Sequence, residues 1–209
     1  MPLDLWLTFV AAATALLLIP GPTVLLVLSY AISQGRRVAV ASALGVATGD
    51  LIAMTASLAG LGALVLASAT AFTILKWIGA IYLVWLGIKL LRSAPSGGLA
   101  PTDVPATRAS RIFGHTATVT ALNPKSIAFF IAFVPQFLQP AAPLAPQFAI
   151  LIATFVTLAA LNALAYALLA DRLRTTMGRP SVLTGLTRLG GAALIGMGLM
   201  TATLRRAAP

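Results

Sequence analysis

Two ionisable residues, Asp50 and Lys125, lie within long apolar stretches of the chain. A charge at the centre of a lipid bilayer costs about 2.5 to 3.5 kcal/mol on insertion scales, so such residues usually face a polar interior, pair with each other or bind a ligand. A carboxylate in this setting can exchange a proton or bind a cation. Asp50 is therefore the strongest candidate for a functional residue. The alternative is a buried pair in which Asp50 and Lys125 only neutralise each other.

Prolines interrupt two apolar segments at corresponding places, after Gly21 and after Asn123. Because Pro22 and Pro124 lack a backbone N–H and clash with the preceding turn, we expect both helices to be broken near mid-depth. The N-terminus of a half-helix suits a carboxylate, and the carbonyls freed at the break suit an ammonium group, so an amino acid could bind there. The alternative is an ordinary kink. Hydroxyl side chains placed to help follow at Thr23 and Ser126.

The elements that position these residues are membrane-spanning helices. The 209 residues are 59% hydrophobic and 9% charged, which is far from the composition of soluble proteins. At about 20 residues per crossing, this apolar content suffices for about six helices and leaves no room for a separate soluble domain. Cysteine is absent, which excludes disulfides and thiol chemistry. We therefore expect an all-α integral membrane protein.

The positions of charges and turn residues predict six transmembrane helices. Span one covers 5–35, spans two and three flank a tight turn at 66–70, and span three closes at Arg92. A loop at 93–110, rich in proline and glycine, separates repeat one (about 1–92) from repeat two (about 111–209) of a single transporter domain. Spans four, five and six cover about 112–138, 147–170 and 184–204.

The two halves resemble each other in the spacing of their unusual residues. The same number of residues separates Asp50 from Asn162 as separates Lys76 from Arg188, and Gly21-Pro22 in span one corresponds to Asn123-Pro124 in span four. A unit of three spans reverses its direction when repeated, so the halves would form inverted three-helix repeats. Secondary transporters with this arrangement bind substrate between the repeats. The alternative is a chance alignment of two apolar, glycine-rich halves.

Basic residues outnumber acids by 14 to 4, giving a net charge of +10. We attribute this excess to contact with anionic lipid and to membrane orientation, and expect no nucleic-acid partner. Cations concentrate in loops on the cytoplasmic side of membrane proteins, so both termini should lie outside the cytoplasm. The loops after spans one, three and five hold Arg36, Arg37, Lys89, Arg92, Arg108, Arg111, Arg172, Arg174 and Arg179, whereas the opposite side holds Arg205 and Arg206, with Lys76 near its edge.

Other polar or small residues suggest packing more than chemistry. Ala41, Gly45, Gly49 and Ala53 repeat at every fourth position, a pattern that lets helices approach closely and could let them slide. His115, the only histidine, has no second His, Cys or Glu beside it, so we expect no metal site and no cofactor. No serine lies beside a candidate base within a span, which argues against an enzyme such as an intramembrane hydrolase.

Five motifs occur along the chain, at residues 20–28 with 35–37, 45–50, 76–83, 122–126 and 133–137. Together they resemble the LysE/RhtB family of bacterial amino-acid exporters over nearly the whole chain. The resemblance implies an inner-membrane carrier that exports amino acids or their derivatives, usually driven by the proton motive force. The family's acidic residue in span two falls on Asp50, and its Asn-Pro-Lys motif falls on Asn123, Pro124 and Lys125.

The leading hypothesis is a secondary exporter of amino acids in which Asp50 alternates between protonated and ionised states as the repeats rock around the site. A passive channel or pore is the alternative, but the polar residues cluster at one depth instead of lining a continuous path. A structural or regulatory subunit is a third hypothesis. The substrate, the coupling ion and a homo-oligomeric state stay open. The residues expected to bind substrate or couple transport are Asp50, Lys125, Asn123, Pro124, Pro22, Gly21, Thr23, Ser126, Asn162 and Gly49.

Overall fold

The computed structural model describes residues 1–19, 21–93, 107–139, 142–170, 172 and 180–203, and these residues form helices and no strand. The helical content of the described residues confirms the predicted all-α fold. Pro20, most of the predicted loop at 93–110, and Arg174, Arg179, Arg205 and Arg206 lie outside the described residues. The helices are α1 (Leu3–Leu18), α2 (Pro22–Gln34), α3 (Ala39–Ala67), α4 (Ala69–Arg92), α5 (Ala109–Ala121), α6 (Pro124–Ala128), α7 (Leu144–Leu168) and α8 (Pro180–Thr203).

Short irregular helices connect some of these elements. α6 continues through a π-helical segment, Phe129–Phe133, into a 3₁₀ turn at Val134–Phe137. A second 3₁₀ turn, Gly35–Val38, joins α2 to α3. This turn starts at Gly35, whose φ of 70° lies in the left-handed region that favours glycine. The left-handed conformation of Gly35 ends α2.

The predicted breaks are present in both proline-containing segments. The axes of α1 and α2 bend by 57°, and those of α5 and the α6 segment that runs to Phe137 bend by 41°. By length and composition, Ala39–Leu64, Thr73–Arg92 and Leu144–Leu168 can each cross a membrane. With each bent pair taken as one crossing, the described residues provide up to five candidate spans. α8 is not among them, so the described residues leave the predicted count of six untested.

The junction between α3 and α4 falls within the tight turn predicted at 66–70. Ser68 is extended, with a φ of −163°, and this interrupts the helical path. Its Oγ accepts a hydrogen bond from the N–H of Ala71 at 3.1 Å. A serine that caps the first turn of a helix in this way satisfies an amide that the helix itself cannot.

Close helix packing holds the halves together. α4 packs against α8, and α3 packs against both α5 and α7. A Cβ on Gly87 would lie 2.5 Å from the carbonyl oxygen of Gly191, and a Cβ on Gly191 would lie 2.6 Å from the carbonyl oxygen of Gly87. The two helix backbones are therefore in close contact. The outward face of α4 is apolar, with Ile81 64% exposed, as expected of a surface that contacts lipid.

Two glycines of the small-residue stripe on α3, Gly45 and Gly49, pack closely against α5. A Cβ on Gly49 would lie 2.5 Å from the carbonyl oxygen of Ala117, and one on Gly45 would overlap Thr116 Oγ1. We expect Gly49→Ala to cost about 1 to 3 kcal/mol, because two backbones must separate. Thermal unfolding of the solubilised protein measures this loss. Gly60→Ala on the same helix is the control, since nothing lies within 4 Å of its added Cβ; equal melting temperatures for the two variants would contradict this packing.

Candidate functional site

A small cavity lies where the break after α1, the start of α2, and helices α3, α5, α6 and α7 meet. Its volume is about 30 Å³, which is room for only a few water molecules. An amino acid therefore fits only after the surrounding helices move apart. The lining residues are Leu16, Leu17, Gly21, Thr23, Val24, Val27, Val46, Asp50, Thr120, Asn123, Lys125, Ser126, Ala159, Asn162, Ala163 and Tyr166.

Most of the site residues predicted from the sequence converge on this cavity. Pro22 and Pro124 are the first residues of α2 and α6, so they set the breaks without lining the cavity. Gly49 is not among the lining residues and packs against α5 instead. The predicted residues that line the cavity are Gly21, Thr23, Asp50, Asn123, Lys125, Ser126 and Asn162.

Lys125 binds the backbone at the end of α1. Its ammonium donates hydrogen bonds to the carbonyl oxygens of Leu16 at 3.1 Å and Ile19 at 3.0 Å. The break leaves carbonyls at the end of α1 short of intrahelical donors: Leu16 O keeps one hydrogen bond, from the N–H of Ile19 at 3.2 Å, and Lys125 supplies a further donor to it and one to Ile19 O. The sequence predicted that such freed carbonyls would suit a substrate ammonium. In this structure the chain's own lysine occupies that place.

Helix α7 satisfies the remaining carbonyls of the same turn. Asn162 Nδ2 donates to Leu17 O at 3.1 Å, and the Tyr166 hydroxyl donates to Leu18 O at 3.3 Å. Tyr166 was missed by the sequence analysis. Because Tyr166 follows Asn162 by one helical turn, it lies on the same face of α7, and that spacing could have identified it.

Asn123 joins the two broken segments. Its Oδ1 accepts a hydrogen bond from the backbone N–H of Lys125 at 3.1 Å, which caps α6. Its Nδ2 donates to Thr23 Oγ1 at 3.2 Å in the first turn of α2, and Thr120 Oγ1 lies 3.4 Å from the same oxygen. The starts of both half-helices are therefore held side by side at the cavity.

Asp50 is the one acid among the residues that line the cavity, and one oxygen of its carboxyl group lacks a hydrogen-bond partner. The residue is 2% exposed, and its Oδ1 is buried without a hydrogen-bond partner. Within the described ranges no salt bridge joins it to Lys125, whose ammonium binds two backbone carbonyls instead. The neutralising contact pair considered from the sequence is therefore not formed here. A buried polar atom without a partner is uncommon, and a proton, a water molecule or a ligand could satisfy it.

His115 lies apart from the cavity. Its Nδ1 is 2.7 Å from the hydroxyl of Tyr30, and the two rings meet edge to face with centroids 5.9 Å apart. No group of three metal-ligating side chains occurs in the part of the chain that the structure describes. His115 therefore links α2 to α5 at a distance from the candidate site.

Comparisons with known proteins converge on one family. A profile of LysE type translocators matches residues 14–205. A homoserine/homoserine lactone efflux protein of Salmonella typhimurium is 35% identical over 99% of this chain and 100% of its own length. An uncharacterized membrane protein of Vibrio cholerae is 34% identical over 98% of this chain and its full length. A leucine efflux protein of Klebsiella pneumoniae is 34% identical over 64% of this chain and 63% of its own. No solved structure matches.

Proposed function

The chain belongs to the LysE type translocator family, and from this premise we propose that it exports amino acids or their derivatives across the bacterial inner membrane. The family consists of transporters, which argues against an enzyme. The observation that carries the proposal is the central cavity, where a carboxyl group with one unpartnered oxygen, an ammonium and the ends of two broken helices meet. Relatives named for homoserine and leucine efflux support an uncharged substrate side chain.

The cavity walls support binding of a small zwitterion. Asp50 can bind the substrate ammonium, because the carbonyls at the end of α1 already have donors. The uncapped start of α2 can bind the carboxylate, where helix N-termini stabilise negative charge. Apolar residues remain for the substrate side chain, namely Val24, Val27, Val46, Ala159 and Ala163. Because the cavity must expand to admit a substrate, the surrounding helices open first and then close around the bound molecule.

The six-span inverted repeat is part of the same proposal. α8 has 24 residues and is therefore about 36 Å long, which exceeds the roughly 30 Å hydrocarbon core of a bilayer. α1 to α4 then form repeat one, and α5 to α8 form repeat two. The matched breaks at Pro22 and Pro124 support this assignment. So does the packing of α3 on α7 and of α4 on α8, the second and third spans of each repeat.

We expect both termini to lie outside the cytoplasm, because the loops after the odd-numbered spans carry most of the cations. A cysteine placed at Ser93 or Ser181 should react only with reagents that reach the cytoplasm. A cysteine at Leu3 should react with an impermeant external reagent. The natural chain contains no cysteine, so each variant reports on one position. External labelling of Ser93→Cys would refute the orientation.

Asp50 is proposed to couple export to proton entry. A proton that crosses the whole membrane potential releases about 2.3 kcal/mol per 100 mV, enough to sustain roughly a fifty-fold gradient of a neutral substrate. Asp50 is the acid that lines the cavity, so it can bind a proton and the substrate ammonium in alternation. This competition between two cations for one carboxylate is the basis of proton-substrate exchange.

Efflux from proteoliposomes tests the proposed function. Vesicles preloaded with labelled L-homoserine or L-leucine should release it faster with the purified protein than without it. An inward proton gradient should accelerate release and drive it against a substrate gradient. The alternative, a passive channel, would dissipate gradients but never build one. Release no faster than from protein-free vesicles, for both amino acids, would contradict the proposal.

A further inference from the structure

The ammonium group of Lys125 has one donor to spare. A lysine ammonium carries three N–H groups. Two of them bind Leu16 O and Ile19 O, and Nζ makes no other hydrogen bond among the described residues. Lys125 lies in the cavity wall. The third N–H is therefore available to a ligand in the cavity.

The same ammonium lies beside the uncapped start of α2. Nζ is 3.4 Å from the position that a Cβ on Gly21 would occupy, and Gly21 is the N-cap residue of this helix. No side chain caps the first amides of α2, which include those of Thr23 and Val24 at the cavity. A helix of 13 residues carries a partial positive charge at this end. A full charge and a partial charge of the same sign thus lie close together, an arrangement that favours the binding of an anion.

We propose, on the basis of the proposed function, that Lys125 binds the carboxylate of the substrate through this third N–H. The amides that start α2 bind the same carboxylate, and Asp50 binds the substrate ammonium. Lys125 is then the residue that sets the preference for amino acids over derivatives that lack a carboxylate.

The chemistry of a related carrier's substrates agrees with this division of roles. The Salmonella relative is named for homoserine and for homoserine lactone. Both molecules have an amino group, but the lactone is a cyclic ester without a carboxylate. With a lactone bound, Lys125 would keep its two carbonyl partners and lose no existing bond. The ammonium site at Asp50 is thus required by both ligands, and the contact with Lys125 by only one.

Two substitutions separate the two subsites. Lys125→Gln removes the charge but leaves an amide that can still donate to the carbonyls of α1. We expect it to weaken the binding of L-homoserine about 10- to 100-fold more than that of L-homoserine lactone, because a charge-assisted hydrogen bond is lost. Asp50→Asn should weaken the binding of both ligands by similar factors. Titration calorimetry on the purified protein measures both, and Lys125→Arg should restore most of the preference for homoserine.

The matched control is Lys89→Gln at the exposed end of α4, where the lysine lies over the ring of Trp85. It should change the binding of neither ligand. Equal effects of Lys125→Gln on both ligands, or no effect on either, would overturn this assignment while leaving the proposed function intact. If the wild-type protein binds neither of these ligands nor L-leucine, both the proposed function and the assignment of Lys125 fail.

A measurement on the unmodified protein covers the case in which Lys125→Gln does not fold. The chain has three lysines, at 76, 89 and 125, so protein labelled with ¹⁵N-lysine gives few side-chain signals. We expect the Nζ signal of Lys125 to shift on addition of L-homoserine by more than on addition of the lactone. Equal shifts, or no shift at saturating homoserine, would overturn the assignment.

Discussion

Asp50→Asn is expected to abolish the accumulation of amino acid driven by a proton gradient. Asparagine keeps the shape of the side chain but cannot exchange a proton. The effect on folding should be small, because the buried Oδ1 has no partner to lose. Exchange of labelled for unlabelled substrate between equal compartments should continue at a reduced rate, since the helices can still move around a neutral site. Proteoliposomes loaded on one side measure both activities.

Asp4→Asn is the matched control for this substitution. Asp4 lies exposed in the first turn of α1, away from the cavity. It should leave both activities unchanged. If the Asp50→Asn protein still builds a substrate gradient in proportion to the proton motive force, Asp50 does not couple transport. The proton path would then run through the substrate's own titratable groups or through water.

Lys125→Met is expected to cause the largest loss of stability among substitutions at the cavity. It removes the side-chain donor from the carbonyls of Leu16 and Ile19 at a helix break. Leu16 O keeps the backbone N–H of Ile19, whereas Ile19 O keeps no donor among the described residues. A buried carbonyl left without a donor costs about 1 to 3 kcal/mol, although neighbouring groups that relax reduce this loss. The melting temperature of the solubilised protein reports this loss.

The corresponding change at an exposed position, Lys89→Met, removes the same charge without freeing a carbonyl. Its melting temperature should stay close to that of the wild type, because exposed charges contribute little to stability. A Lys125→Met protein as stable as Lys89→Met would show that Lys125 does not hold the end of α1.

The features predicted correctly from the sequence are those that local chemistry determines. Pro22 and Pro124 lack a backbone N–H wherever they occur, so the breaks followed from residue type alone. The turn near Ser68 followed from the length of an apolar run too long for one helix. Charged residues buried in apolar segments pointed to Asp50 and Lys125 because the cost of isolated charges in lipid forces them together with polar groups.

The contacts within the site could not be predicted, because they depend on how helices rotate against one another. A long lysine side chain can reach either Asp50 or the backbone of α1, and only the packing of α6 selects the carbonyls. Gly49 is next to Asp50 in the chain, yet it faces α5 and not the cavity. Tyr166 could not be identified as a site residue from its type alone, since a tyrosine in a membrane helix has many roles.

A single cysteine at Ala163 tests most directly whether this cavity is the substrate site of an alternating carrier. Ala163 lines the cavity and is buried, so a thiol there reacts with a small polar thiosulfonate only when the site opens. The natural chain has no cysteine to interfere, and Ser93→Cys, outside the cavity, is the control. The account predicts that reagent added from either side of the membrane labels Ala163→Cys, and that saturating L-homoserine or L-leucine slows this labelling but not that of Ser93→Cys. Labelling from one side only, or at a rate that neither amino acid changes, would contradict it.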